Sequence, residues 1–354
     1  MEGTAPLRIL GETAYPLTAP SARVRIAYFA PLLSAHGIAL DYRPTLTNHE
    51  YGVLSSRAPA VRKALVLAAS AARTGLRHPA HELFLVHRLR LLSPFPGVDP
   101  PRHLDVYDLD DALFLGSPAA ANRRFQWAKQ EARRCVDCLR RARLVIAGNA
   151  FLADRAREYA RQVEVVPSCV DPGRQPLRMH DAAEVVTVGW IGSHTTSVYL
   201  ESIFSVFARL NADRLRAKLV VVGGNPDMSA DWIEHRAWSL ANEPSDLAGF
   251  DIGIMPLPDT DWARGKCGYK ILQYFGAGVP AVASPVGITS ELIGDDRGLL
   301  ASSPTEWYAA LDQLISDVDE RRRRGAAART YVEQRYSYQR WAPQLAGLLK
   351  SVSG

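Results

Sequence analysis

Lysine is scarce in this 354-residue chain, six residues against thirty-six arginines. The arginine excess is what a high-GC coding sequence produces, so scattered arginines carry little functional weight and each lysine stands out. Cysteine is equally sparse: four residues in a chain of this length exclude a disulfide framework and point to a reducing cytoplasm. Cys135 and Cys138 form a lone CxxC inside EARRCVDCLRRAR, a helical and basic setting. No second pair lies at zinc spacing, and Cys169 and Cys267 are isolated, so the pair reads as structural rather than metal-binding or redox-active. No apolar run reaches the length of a membrane span, and no N-terminal signal pattern is present. Internal repeats, low-complexity segments and heptads are missing as well. So are an RNA-binding motif and an aromatic-basic stripe. The net charge of +5 and pI near 9.0 suggest anionic partners without requiring nucleic acid, and no nucleic-acid partner is expected.

What the chain does have is apolar residues, 47% of the total, enough to bury a core in each of the two domains that its length predicts. The most organised stretch is DIGIMPLPDTDWARGKCGYKILQYFGAGVPAVASPVG, from Asp251 to Gly287. Ile252 to Leu257 reads as a buried strand ended by Pro256 and Pro258. A polar loop follows, then Gly268 and a helix over Tyr269 to Ala277 that stops at Gly278 and Pro280. Val279 to Ala283 reads as the next parallel strand. Such a loop feeds a helix N-terminus, whose unpaired N–H groups and positive dipole end favour an anion such as phosphate. Two of the six lysines, Lys266 and Lys270, fall in this loop and first turn. They read either as cations for a diphosphate or as solvated charges at a helix start.

The rest of the chain alternates strands and helices. Leu7 to Leu10 predicts a first strand, GETAYPLTAPSARVR a loop, the positions Val24, Ile26, Phe29 and Leu33 a helix ended by Gly37, and Ile38 to Tyr42 a second strand. Residues 58–75 predict a basic, alanine-rich helix, and Leu83 to Val86 a strand followed by HRLRLLSPFP. A basic, partly apolar helix of this kind could touch an anionic membrane surface, or simply pack as a surface helix. Leu104 to Tyr107 leads as a strand into DLDDALF, three aspartates at the strand end where open α/β sheets carry ligands. A helix over 119–142, a strand over Leu144 to Ala147 and a further helix follow. Gly173 to Ala183 lacks periodicity and reads as linker. The second half opens with a strand running into Gly192, Ser193, His194, Thr195 and Thr196, then a helix over Val198 to Leu210 and a strand over Leu219 to Val222. Glu306 to Arg324 predicts a helix whose RRRR end is a solvated face complementing its C-terminus.

GKCG and QYFGAGVP fall in register with the donor-binding element of retaining GT-B glycosyltransferases of family 4, glycosyl transferases group 1, and the segment resembles it. That family shows Glu-x-Phe-Gly, four residues, then Glu-Ala-Met-Ala-x-Gly-x-Pro. Here its first Glu falls on Gly265, which has no side chain for a sugar hydroxyl, and its second on Gln273, whose amide can still bond a ribose hydroxyl. VEVVPSCVDP resembles the family's domain junction. The resemblance implies an α/β fold with two Rossmann-like domains facing across a cleft: residues 1–170 with a crossover helix over 336–354, and residues 171–335 as the nucleotide-sugar domain. The family's Gly-Arg and following Lys, which grip the donor diphosphate, are missing at Gly192 to Thr196. Backbone and hydroxyl donors remain there, with His194 as a phosphate donor or a helix-start residue, and Lys266 and Lys270 compensate the charge. Trp238 lies where the family approaches the base, so it either stacks on a uracil or is a core tryptophan. By the same resemblance the first loop faces the cleft, with Ser21, Arg23 and Arg25 as candidates; the alternative is a surface loop with a solvated arginine pair.

The aspartates have two sharp readings. Asp108-Leu-Asp110 matches the minimal metal motif of GT-A transferases, although a GT-A chain would not place a donor loop near residue 270. Alternatively Asp110 or Asp111 stands where the family carries a His-Asp pair at the sugar end. Otherwise one aspartate caps a helix and another forms an ion pair. The resemblance implies a retaining transfer from a nucleoside-diphosphate sugar to a small or carrier-bound acceptor, with no cofactor, no metal and no membrane span. UDP-N-acetylglucosamine is the donor to try first, and a secondary-metabolite pathway is compatible with the composition. Two other classes stay open: a sugar-nucleotide hydrolase or epimerase on the same fold, and an anionic-surface or nucleic-acid binding protein.

Overall fold

The computed structural model describes residues 5–56, 58–74, 81–92, 104–116, 130–214, 216–224 and 226–353. The start of the helix expected over 119–142 and the SPFP end of HRLRLLSPFP lie outside them. Packing divides the chain into two units, Met1–Ser168 with Tyr338–Gly354, and Cys169–Ser337.

Unit 1 is built on six parallel strands: β1 (Leu7–Thr13), β2 (Ile38–Pro44), β3 (Leu83–His87), β4 (Val106–Leu109), β5 (Leu144–Ala147) and β6 (Val163–Val165), in the order β2-β1-β3-β4-β5-β6. The central strands β4 and β5 are buried at every position, as a parallel sheet covered on both faces requires. β1 runs three residues past its expected end, pairing Gly11, Glu12 and Thr13 with β2. Glu12 is tolerated there because Arg90 lies 3.1 Å from its carboxylate. The segment expected as loop is in part helical. Pro20–Ala22 begins a turn that continues through Arg23–Ala27 with five-residue spacing, Tyr28 N–H donating to the Arg23 carbonyl at 2.9 Å. Ser21, Arg23 and Arg25 therefore sit on a helical turn. The helix Ala60–Thr74 is present, and the described residues after β3, Arg88 to Leu92, are irregular. The terminal helix Tyr338–Ser353 packs into this unit: Tyr338 Oη donates to the Val24 carbonyl at 3.2 Å, and its ring meets Phe29 edge-on at 4.9 Å.

Unit 2 holds β7 (Val186–Ile191), β8 (Ala217–Val222), β9 (Ile233–Arg236), β10 (Ile252–Met255), β11 (Ala281–Ala283) and β12 (Gly298–Leu300), all parallel, in the order β12-β11-β10-β7-β8-β9. Counted from β7, this is the doubly wound order of dinucleotide-binding sheets, with its reversal between β7 and β10. The segment expected as linker is packed on this unit. Arg178 Nη2 donates to Asp251 at 2.7 Å and His180 Nε2 lies 2.9 Å from the Gly278 carbonyl.

The helix expected over Glu306 to Arg324 is two helices, Pro304–Ser316 and Val318–Arg335. Asp317 breaks the run and caps the second helix, accepting from Glu320 N–H at 2.9 Å. The RRRR run is thus solvated only at Arg322 and Arg323: Arg321 and Arg324 are buried, and Arg321 Nη1 donates to the Leu314 and Ile315 carbonyls at 2.6 and 3.1 Å. It still complements a helix C-terminus, from the next helix and in the interior.

Candidate functional site

In unit 2 the loops after β7 and β10 leave the sheet on the two sides of its reversal, where open α/β sheets take ligands. Gly192 ends β7. A Cβ there would stand 2.6 Å from Lys270 Cε and 2.7 Å from the Trp190 ring, so only glycine lets the Lys270 stem cross the strand end. The Lys270 ammonium lies 5.3 Å from the Trp190 ring centroid, and that of Lys266 lies 5.2 Å from the centroid of Trp262. Both lysines are half-buried, which departs from the reading as solvated charges.

Gly268 opens the helix Tyr269–Gly276 in the left-handed region, φ 65°, and its missing Cβ makes room for Leu292. Tyr269 is half-buried on the first turn. Gln273 is buried, a turn further in. Ser193, His194 and Thr195 are exposed on a single helical turn, with Ser193 Oγ 2.8 Å from Thr195 Oγ1. One expectation is corrected here: the Gly192 N–H is not a phosphate donor, because it donates to the Val222 carbonyl at 3.0 Å. Trp238 is half-buried, packed against the apolar core of the unit, and its indole N–H donates to Glu243 at 2.8 Å.

In unit 1 the reversal lies between β1 and β3. Tyr15, after β1, and Arg88, after β3, meet there with the guanidinium 5.8 Å from the ring centroid. Arg88 holds both candidate catalytic carboxylates, Nε on Asp110 and Nη2 on Asp111. It does so from a left-handed backbone, φ 57°, which is unusual for a residue with a side chain. Asp108 is bound from the other side. Arg25 donates to it through Nε at 3.0 Å and Nη2 at 2.6 Å, and His87 Nδ1 lies 2.7 Å from its Oδ1. Burial opposes ionisation of Asp108, but the Arg25 charge and the His87 hydrogen bond outweigh it and keep the carboxyl below the usual range. Burial likewise opposes ionisation of Asp110, and the Arg88 charge outweighs it in the same sense. The two aspartates raise the Arg88 guanidinium well above its ordinary value against its own burial.

These bonds correct several expectations. Asp108 has an arginine fork on both oxygens, so it is an ion-pair residue and the Asp108-Leu-Asp110 metal reading loses its first ligand. Arg25 is buried and donates through its third nitrogen, Nη1, to the Val166 carbonyl at 2.7 Å; Arg23 is buried with Nη1 on the Leu17 carbonyl at 2.9 Å. Neither belongs to a solvated pair. Ser21 is half-buried. The cysteine pair is buried, and burial pushes both thiols up to about 12, so they stay protonated.

The residues missed in the sequence are His87, Arg88, Tyr15, Trp190 and Trp262. The signal for His87 and Arg88 was their place at the end of β3, one strand from the aspartates. For Trp190 it was the glycine on each side of WI.

A parallel two-sheet α/β chain with this second sheet defines a class, and solved structures place it. Sucrose-phosphate synthase from Thermosynechococcus elongatus superposes with a TM-score of 0.69 at 14% identity, over 98% of each chain. Anabaena HepE in complex with UDP and glucose gives 0.65 at 16% identity, over 98% of this chain and 100% of that one. The fold is that of the GT-B glycosyltransferases. Within it, residues 182–317 match the family model of glycosyl transferases group 1. A 130-residue stretch is 33% identical to the D-inositol 3-phosphate glycosyltransferase of Paenarthrobacter aurescens (strain TC1). That match covers 35% of this chain and 30% of the relative, so the chain spans less than a third of that protein's length.

Proposed function

We propose that the chain transfers a sugar from a nucleoside-diphosphate sugar, UDP-linked, to a small or carrier-bound acceptor, with retention at the anomeric carbon. The observation that carries this reading is the Lys270 stem laid across Gly192 at the sheet reversal, inside the group 1 segment. A cation held there is placed for a diphosphate. As the glycosidic bond breaks, the diphosphate gains charge. A fixed ammonium then stabilises the transition state more than the ground state. The Ser193, Thr195 and Thr196 hydroxyls add donors, Gln273 addresses the ribose and Trp238 the base. The departing phosphate takes the acceptor proton on the same face, so neither a metal nor another cofactor is required. Asp110 and Asp111, fixed by Arg88, are the acidic pair for orienting the acceptor or supporting the cationic sugar. UDP-N-acetylglucosamine is the first donor to try, and cytoplasmic secondary metabolism the setting.

Gly265 favours a second reading. Where the resemblance expects a carboxylate, no side chain contacts the sugar, and a hydrolase or epimerase is the consequence. Incubation with UDP-sugars separates the two. A transferase releases UDP only when a suitable acceptor is added, and release of UDP with free sugar in its absence would favour hydrolysis.

A further inference from the structure

The helix Ala60–Thr74 presents an apolar stripe outward. Val61, Ala64, Leu65, Ala68 and Ala72 recur at the three- and four-residue spacing that lines one helix face. All five are exposed, Val61 at 72% and Leu65 at 66%. Ser70 and Ala71 are buried and Val66 and Leu67 half-buried on the inner side, while Val61 and Leu65 face out. The outer face of a surface helix in a globular unit is normally polar. The helix also has no acidic residue. It carries Arg62, Lys63 and Arg73; Arg62 is exposed beside the apolar stripe, and Arg73, also exposed, is paired with Glu50 at 2.6 Å.

We propose that this face docks on an anionic lipid bilayer. The stripe would enter the boundary between headgroups and acyl chains, and Arg62 would lie at the level of the phosphates. The helix brings three basic residues and no acidic one, and only Arg73 has a carboxylate partner, Glu50, so the net positive charge left on the face favours an anionic surface over a second copy of the same face. Nothing long enough to cross the membrane is needed. Among the described residues no helix is long and apolar enough to do so. The inference stands apart from the glycosyltransferase reading and uses none of its residues.

Sedimentation with vesicles tests it. The full chain is mixed with vesicles of equal phosphatidylglycerol and phosphatidylcholine, and with vesicles of phosphatidylcholine alone. The proposal expects binding to the anionic vesicles that is about tenfold weaker on the neutral ones. The paired substitution Val61→Ser and Leu65→Ser should weaken anionic binding about tenfold, and Arg62→Glu should weaken it further at low salt. The thermal midpoint should stay as in the parent, because these side chains are exposed. Failure of the parent to sediment with anionic vesicles would overturn the proposal, as would equal binding by the paired variant. So would a lipid-free dimer that the paired variant abolishes, which would make the stripe a self-interface.

Discussion

Arg25 grips Asp108 with two donors, Nε at 3.0 Å and Nη2 at 2.6 Å, in the interior of unit 1. The pair joins the first helical turn to the end of β4, and His87 bonds the same carboxylate from β3. Removing Arg25 leaves a buried charge with one remaining partner. Arg25→Ala should therefore destabilise the chain by about 3–5 kcal/mol, read as a shift in urea midpoint. Arg25→Lys should recover only part, because an ammonium cannot fork across both oxygens. An unchanged midpoint in the alanine variant would remove Asp108 from the stabilising network.

Acid should expose the same network. Asp108 and Asp110 both titrate below the usual carboxylate range in the folded chain. The unfolded chain, with aspartates near 3.9, takes up protons first. The contribution is therefore complete above about pH 5 and is lost as pH falls through about 4 toward the folded values. Urea midpoints from pH 6 to pH 3 should fall. The fall should be shallower in Asp108→Asn, even though that variant starts from a lower midpoint. Parallel curves for the two proteins would contradict the assignment.

Gly192 and Lys270 should behave as one unit. A Cβ at 192 would stand 2.6 Å from Lys270 Cε, so Gly192→Ala must displace the lysine. Lys270→Ala should weaken nucleoside-diphosphate binding by about 1.5–3 kcal/mol, the range of a charge-assisted hydrogen bond. Gly192→Ala should show a loss of the same kind, and the double variant should lose no more than Lys270→Ala alone. Additive losses would separate the two residues. Lys266→Ala tests the second cation by the same titration.

Gly268 has a different job. Its φ of 65° is a left-handed conformation, and a Cβ would stand 2.3 Å from Leu292 Cδ1. Gly268→Ala should lower stability by at least about 2 kcal/mol, from backbone strain and overpacking together. A thermal midpoint equal to the parent's would show that the loop rearranges without cost.

The fold was largely legible, because buried parallel strands leave continuous apolar runs and helices end at Gly278 and Gly37 in a way that periodicity detects. The strand–loop–helix–strand unit from Ile252 to Ala283 was legible for the same reason, with its lysines made conspicuous by their rarity. The first unit's polar network was not. Glu12 lies in a strand because Arg90 pairs with it, and Arg25 is buried because Asp108 pairs with it. Such pairings join residues far apart in the chain, and local pattern does not report them. The break at Asp317 was hidden by an unbroken helical composition on both sides. HRLRLL was read for its own basic, apolar pattern, whereas its second residue serves two aspartates just past the end of the neighbouring strand.

The most direct test of the central claim is calorimetric titration of the chain with UDP, GDP, TDP and ADP, then with their sugar conjugates, each with and without EDTA. The account predicts selective binding of UDP and of one UDP-sugar, unaffected by the chelator and weakened in Lys270→Ala. Absence of binding to every diphosphate would contradict the donor site at Gly192 and Lys270. Binding abolished by EDTA would contradict a metal-independent grip.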